Sequence, residues 1–203
     1  DANGDVVSYE YDERGNRTER HSIDETGAPI METWAYDLAD RVTGHRRPYP
    51  NAGPEGPQGP ATTYEYDPVF GWLNTVTDPS GRVASFGYYN DGQVRTETHT
   101  KTGLPTVTVD RWRDSRGRVT RRRDTTGTTV TNTSWTFTRD GQQASVTHPG
   151  GRVVGYGWNL DGTQASLTHP DGKQGRYGHD PMGRVTTYEV APNAGAAGVP
   201  YST

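Results

Sequence analysis

Cysteine is absent from the 203-residue chain. That excludes disulfides, thiol catalysis and thiolate metal sites, and leaves the redox compartment undecided. Hydrophobic residues are also scarce, at 29%, and mean hydropathy is -0.96. A chain this poor in aliphatics cannot cover both faces of every element, and composition alone leans towards disorder. No run approaches the ~18 apolar residues of a membrane-crossing helix. Net charge is -4 with both signs interspersed, so no electrostatic footprint for nucleic acid is present. No charged and apolar leader follows Asp1. The expectation is a piece of a longer polypeptide, with any export signal outside it.

What the chain has instead is 26 Gly, 14 Pro and a set of aromatics, 12 Tyr, 5 Trp and 3 Phe. Most of the aromatics recur at one place in a repeat, as packed side chains do, which argues for order. Taking the residue after the aromatic pair as anchor, the copies fall at Asp12, Asp37, Asp67, Tyr89, Asp114, Thr138, Asn159 and Asp180, about 21 to 30 residues apart. A turn glycine follows most anchors by three residues: Gly15, Gly92, Gly117, Gly141, Gly162 and Gly183. Gly71 comes one place late, and Asp40 stands in once. Such a period marks an array.

A second row of turns alternates with the first: Asp24–Gly27, Asp78-Pro-Ser-Gly81, Thr100–Gly103, Asp124–Gly127, His148-Pro-Gly-Gly151 and His169-Pro-Asp-Gly172. A side-chain acceptor first, Pro second and Gly fourth is the pattern of a type I turn closing a hairpin. Between turns lie about six or seven residues, an ordinary strand. Period-two alternation in Val154-Gly155-Tyr156-Gly157-Trp158 and Ala84-Ser85-Phe86-Gly87-Tyr88 puts bulky residues on one face and small ones on the other. The aromatics should then form cross-strand ladders. Arg111-Trp112-Arg113-Asp114 reverses the pattern, so Trp112 should point to the opposite face.

Two segments stand apart. Residues 45–63, with three Gly-Pro-X triplets, read as an exposed polyproline-type loop, since a collagen helix needs far more triplets and three chains. Residues 191–203 read as a Gly/Ala/Pro linker, leaving residues 1–190 as an array of about eight hairpins.

Tyr9–Gly15, Tyr64–Gly71, Gly117-Arg118-Val119-Thr120 and Gly183-Arg184-Val185-Thr186, with the Asp78-Pro-Ser-Gly81 turn, resemble the Rhs or YD-repeat family over roughly residues 5–190. The resemblance implies a long β-strip that spirals into a hollow shell, as in bacterial polymorphic toxins, insecticidal toxin complexes and teneurins, where toxin relatives enclose a C-terminal segment. The residues point the same way. About sixteen strands at about 4.8 Å each make a sheet about 75 Å wide, and a single sheet of that width must curl or split as twist accumulates. The alternative architecture is a β-propeller, two units approaching the about 40 to 45 residues of one blade. It requires a two-unit alternation, and the copies show none.

Candidate chemistry is thin. Of six histidines, His148 and His169 hold turn positions that Asp78 and Asp124 hold elsewhere, where an acceptor for a backbone N–H is wanted. His179 holds the place of Tyr11 and Trp158, where a ring stacks. No zinc pattern runs through His21, His45 or His99. Asp67-Pro and Asp78-Pro resemble the paired Asp-Pro motif that closes and self-cleaves the shell in toxin relatives. Here the pair lies mid-array, and Gly71-Trp72-Leu73 replaces the family's Gly-Arg-Phe. Turn aspartates are the plainer reading. Arg111, Arg113, Arg116, Arg118 and Arg121–Arg123 form the one basic cluster, divided between two faces as a solvated edge. No catalytic, cofactor or metal residues are assigned, and no nucleophile, base and orienter converge. The expected fold is all-β, tandem hairpins in one long, curled antiparallel sheet. The expected role is non-enzymatic: part of the wall of a secreted or surface-displayed bacterial protein, whose partner is the rest of its own polypeptide. Stacking of sugar rings on the Tyr and Trp rows, giving carbohydrate or cell-surface binding, is the competing function.

Overall fold

The computed structural model describes residues 6–23, 27, 29–47 and 60–191, and the backbone of 199–200. Most of the 45–63 loop, the Asp24 turn and most of the 191–203 linker lie outside the described residues. Those described form strands and turns without helix. The chain divides into two compact units, residues 1–108 and 109–203.

In the first unit β1 (Ser8–Tyr11) pairs with β2 (Arg17–Ile23), β3 (Pro29–Tyr36) with β4 (Val42–Arg46), β5 (Thr62–Tyr66) with β6 (Leu73–Thr77), and β7 (Val83–Tyr88) with β8 (Val94–Thr100). Each hairpin pairs with the next through β2–β3, β4–β5 and β6–β7. In the second unit, which takes most of β9 (Val107–Arg113), that strand pairs with β10 (Val119–Thr126). Then come β11 (Thr129–Phe137) with β12 (Gln143–Thr147), β13 (Val153–Trp158) with β14 (Gln164–Thr168), and β15 (Gln174–His179) with β16 (Val185–Ala191). A short β17 (Val199–Pro200) adds to β16. These pairings are antiparallel and follow chain order, and the eight expected hairpins are these.

The Asp-led turns share one construction. The anchor N–H donates to the carbonyl of the residue after the glycine, as from Asp114 to Arg118 at 3.0 Å, and the glycine N–H donates to the anchor carbonyl. The anchor carboxylate accepts two more N–H groups, from Arg116 and Arg118 in the same turn. Asp40 takes the glycine's place with φ 60°, as expected of the one substitute.

Three turns of the second row differ from the sequence reading. Asp124 is a strand residue opposite Thr131, its carboxylate bound by Arg122, and the hairpin closes over Gly127 and Thr128 because β10 and β11 pair as far as Thr126 and Thr129. The Thr100 turn begins one residue later, Leu104 N–H donating to the Lys101 carbonyl. At His148 the third residue, Gly150, has φ 83°, the mark of a type II turn rather than type I. In the His148 and His169 turns the backbone supplies the closing bonds; neither imidazole is the acceptor expected of it.

Direct cross-strand partners share a face. In the second unit one face carries Trp135, Val146, Val154, Tyr156, Leu167 and Tyr177, and the other Ser134, Thr136, Ser145, Gly155, Gly157, Ser166 and Thr168. The first unit repeats this with Tyr64, Val76, Ala84 and Phe86 against Thr63, Thr75, Ser85 and Gly87. Gly175 is the exception on the aromatic face: a Cβ there would lie 2.8 Å from the ring of Tyr188. Burial is shallow. Among described residues only Val109, Val146 and Ala191 form a buried apolar core, and no polar residue is buried.

Candidate functional site: the seam between hairpins

Seven hairpins carry a register shift where the outgoing strand ends, between Glu10/Tyr11, Ala35/Tyr36, Glu65/Tyr66, Gly87/Tyr88, Thr136/Phe137, Gly157/Trp158 and Gly178/His179. The returning strand holds one extra residue there, such as Asn74, which adds local twist and bends the strand. The signal was present in the sequence. Leu73 and Val76 face the same way although three residues apart, which a regular strand forbids.

The backbone ladder between hairpins is short at four junctions, with two positions for β4–β5 and three for β6–β7, β12–β13 and β14–β15, against five for β2–β3 and six for β10–β11. Between β6 and β7 it joins Thr75–Thr77 to Val83–Ser85, at the end away from the Asp67 turn. At the other end a side chain spans the seam. Tyr36 Oη donates to the Arg17 carbonyl at 2.9 Å, Tyr66 Oη to Val42 at 2.8 Å, Tyr88 Oη to Leu73 at 2.6 Å and Trp158 Nε1 to Gln143 at 2.7 Å. Each donor closes its outgoing strand, and each acceptor opens the returning strand of the preceding hairpin. Burial pushes the Tyr66 and Tyr88 phenols above the ordinary value, which keeps both as neutral donors. These residues are stitches as much as packing groups, a role that reading them as a stacked ladder missed.

The seam is filled by the residue that follows the turn glycine, or follows Asp40 in its place. Arg41, held by Asp37 through Nε at 2.8 Å, lies with its guanidinium 4.5 Å above the Tyr66 ring. Arg118, held by Asp114 in the same way, lies 4.2 Å above Phe137. Trp72 packs on Tyr88 at 5.1 Å and on Phe70 at 4.7 Å. Stacked cations of this kind contribute about 0.5–1 kcal/mol when exposed and more when desolvated.

Removing one stitch should be felt. Tyr66→Phe deletes the bond and leaves the Val42 carbonyl without it; the expected loss is about 1 kcal/mol in urea unfolding. An unchanged midpoint would show that water replaces the phenol at no cost.

The remaining candidates find plain roles. Asp67 accepts from Val69 and Phe70 N–H, and Asp78 from Ser80 and Arg82 N–H, at opposite ends of β6. They are turn aspartates set apart by the strand. Trp112 lies on the polar face as expected, with Arg121 at 4.6 Å and Arg123 at 5.3 Å from its ring, while Arg123 also binds Asp110. Arg113, in the stitch position, turns back to the Gly117 carbonyl of its own hairpin. His45 stacks on Trp34, and His99 pairs with Glu97 at 2.9 Å. Among the described residues no ring stacks on His179, unlike the sequence reading, and its Nδ1 is buried without a hydrogen-bond partner there. Glu10, Glu19 and His21 bring three donor atoms within 4.8 Å at the β1 edge, with His21 Nε2 2.9 Å from Glu19. A cavity of about 290 Å³ in the first unit lies among Arg82, His99, Lys101, Leu104 and Val107.

No protein-family model and no curated protein sequence matches the chain. Among solved structures it is similar to a chain of the Photorhabdus luminescens Tc holotoxin pore with a point mutation in TccC3, at 11% identity and TM-score 0.42, covering 96% of this chain and 13% of that one. It is also similar to the TcdB2-TccC3 complex, at 9% identity and TM-score 0.28, covering 98% of this chain and 17% of that one. The chain spans less than a fifth of either match.

Proposed function

We propose that this chain is a length of wall: a strip of Rhs-type hairpins that, curled within a longer secreted or surface-displayed polypeptide, encloses or presents another segment of that polypeptide. One observation carries the reading. Hairpin is stitched to hairpin through a side-chain bond to the preceding backbone, while almost nothing is buried beneath, so the fold invests in lateral continuity rather than in a core of its own. The resemblance to shell-forming toxin repeats supports a toxin domain as the enclosed segment. The role is non-enzymatic.

The test is limited proteolysis of the longest natural polypeptide that contains this stretch. Cleavage of the enclosed segment should be slow, and should become fast when two consecutive hairpins are deleted. Equal rates with and without them would sink the proposal.

A sugar-binding reading draws on Tyr9, Tyr11 and Tyr188, exposed tyrosines among the described residues at 45%, 61% and 37%. It requires saturable glycan binding that is lost on replacing these three, whereas the wall reading requires none.

A further inference from the structure

Four seams within the units can be compared by what fills them. Arg41 lies on Tyr66, Trp72 on Tyr88 and Arg118 on Phe137. The seam before Trp158 is different. The residue after its turn glycine is Gln142, and the anchor is Thr138 in place of an aspartate, so the Asp–Arg pair seen at Asp37–Arg41 and Asp114–Arg118 becomes Thr–Gln. Gln142 reaches the next turn, its Nε2 3.7 Å from where a Cβ on Gly162 would sit, but it brings neither a cation nor a ring to the indole. What remains is a cavity of about 250 Å³ bordered by Thr138, Asp140, Gln142, Tyr156, Trp158 and Asn159. Small-molecule sites usually begin at ~300 Å³, so this space suits a side-chain head group better than a whole metabolite.

We infer that this open seam is a docking pocket for the guanidinium of an arginine side chain presented by another polypeptide segment. The chain itself shows the fit, since equivalent seams hold a guanidinium over the aromatic ring, within 4.5 Å of its centre. The pocket offers what such a group uses. Trp158 supplies the ring, its Nε1 already committed to Gln143, which fixes the indole plane. Thr138 Oγ1 accepts only one long bond, 3.2 Å from Gln142 N. Asp140, at the rim, is engaged by no described side chain and supplies the countercharge that Asp37 and Asp114 supply elsewhere. A planar cation stacks, whereas a lysine ammonium is a compact, strongly hydrated charge that gains less from a ring face.

The experiment follows the indole N–H resonance of Trp158 in the 203-residue chain, assigned with Trp158→Phe, during titration with N-acetylarginine amide, N-acetyllysine amide and a methyl glucoside. Arginine amide should shift it saturably, with a dissociation constant of about 1–10 mM for so small a contact. The other two should leave it in place. Asp140→Asn should weaken binding about threefold or more. The double variant Thr138→Asp/Gln142→Arg rebuilds the pair found in the other hairpins; it should abolish the titration and raise the melting temperature. Circular dichroism confirms that each variant is folded. No arginine shift, an equal response to lysine, a response to the glucoside alone, or undiminished binding by the double variant would each overturn the inference.

Discussion

Trp72→Ala is expected to lower the unfolding free energy by about 2–3 kcal/mol, the largest single-residue effect in the chain. Removing a fully buried Trp costs about 3–5 kcal/mol, and Trp72 is half-buried, so the lower figure applies. Its indole joins three elements at once. It lies on Phe70 and Tyr88, and its ring atoms come within 3.5 Å of where a Cβ on Gly92 would sit, in the turn of the next hairpin. Deletion therefore empties the seam between the β5–β6 and β7–β8 hairpins. Trp72→Phe keeps part of the stack and should recover about half of the loss. In a one-dimensional array stability is shared between neighbours, so hydrogen exchange should accelerate in β5–β8 and leave β13–β16 unchanged. A loss below about 0.5 kcal/mol, or acceleration spread evenly over both units, would contradict the assignment of Trp72 as seam filler.

Acid should unfold the array through its turns. Seven aspartates sit below the ordinary carboxylate value. Asp12 is held there first by the Asn16 side chain, Asp37 by Arg41, Asp78 by Ser80, Asp114 by Arg118 and Asp161 by Thr163, and Asp171 and Asp180 by the backbone N–H of Lys173 and Arg184. A folded-state pKa lower than the unfolded one means the folded chain binds fewer protons. The stabilisation is complete above the unfolded aspartate value of about 3.9 and is lost as pH falls through the folded values. Melting temperature should therefore be flat from about pH 7 to 5 and fall steeply below about pH 4. Asp114→Asn, which keeps an acceptor oxygen and removes the charge, should start lower at pH 7 and lose less on acidification. A melting temperature that rises below pH 4 would reverse the sign and refute the account.

Much of this structure was legible in the residues because its parts are local. An Asp followed by Gly three places on specifies a four-residue turn by bonds no longer than i to i+4, and alternation of Tyr with Glu or Gly specifies a face. Asp124 failed because the same Asp-x-x-Gly spacing also fits a strand ending in a two-residue turn, and ladder pairing with Thr131 outweighed the local acceptor role. His148 and His169 show that recurrence at a turn start identifies the backbone shape and not the use of the side chain.

The amino-acid order alone determined an all-β array of eight hairpins, two rows of turns, an aromatic face and a small polar one. Only the tertiary structure decided how the hairpins join. The extra residue on the returning strand, just after the turn, bends the strand end, the backbone ladder stops short at four of the junctions, and Tyr36, Tyr66, Tyr88 and Trp158 reach carbonyls 15 to 24 residues away. Such contacts depend on the angle at which one hairpin meets the last. That angle is a sum of small twists that no single stretch of sequence contains.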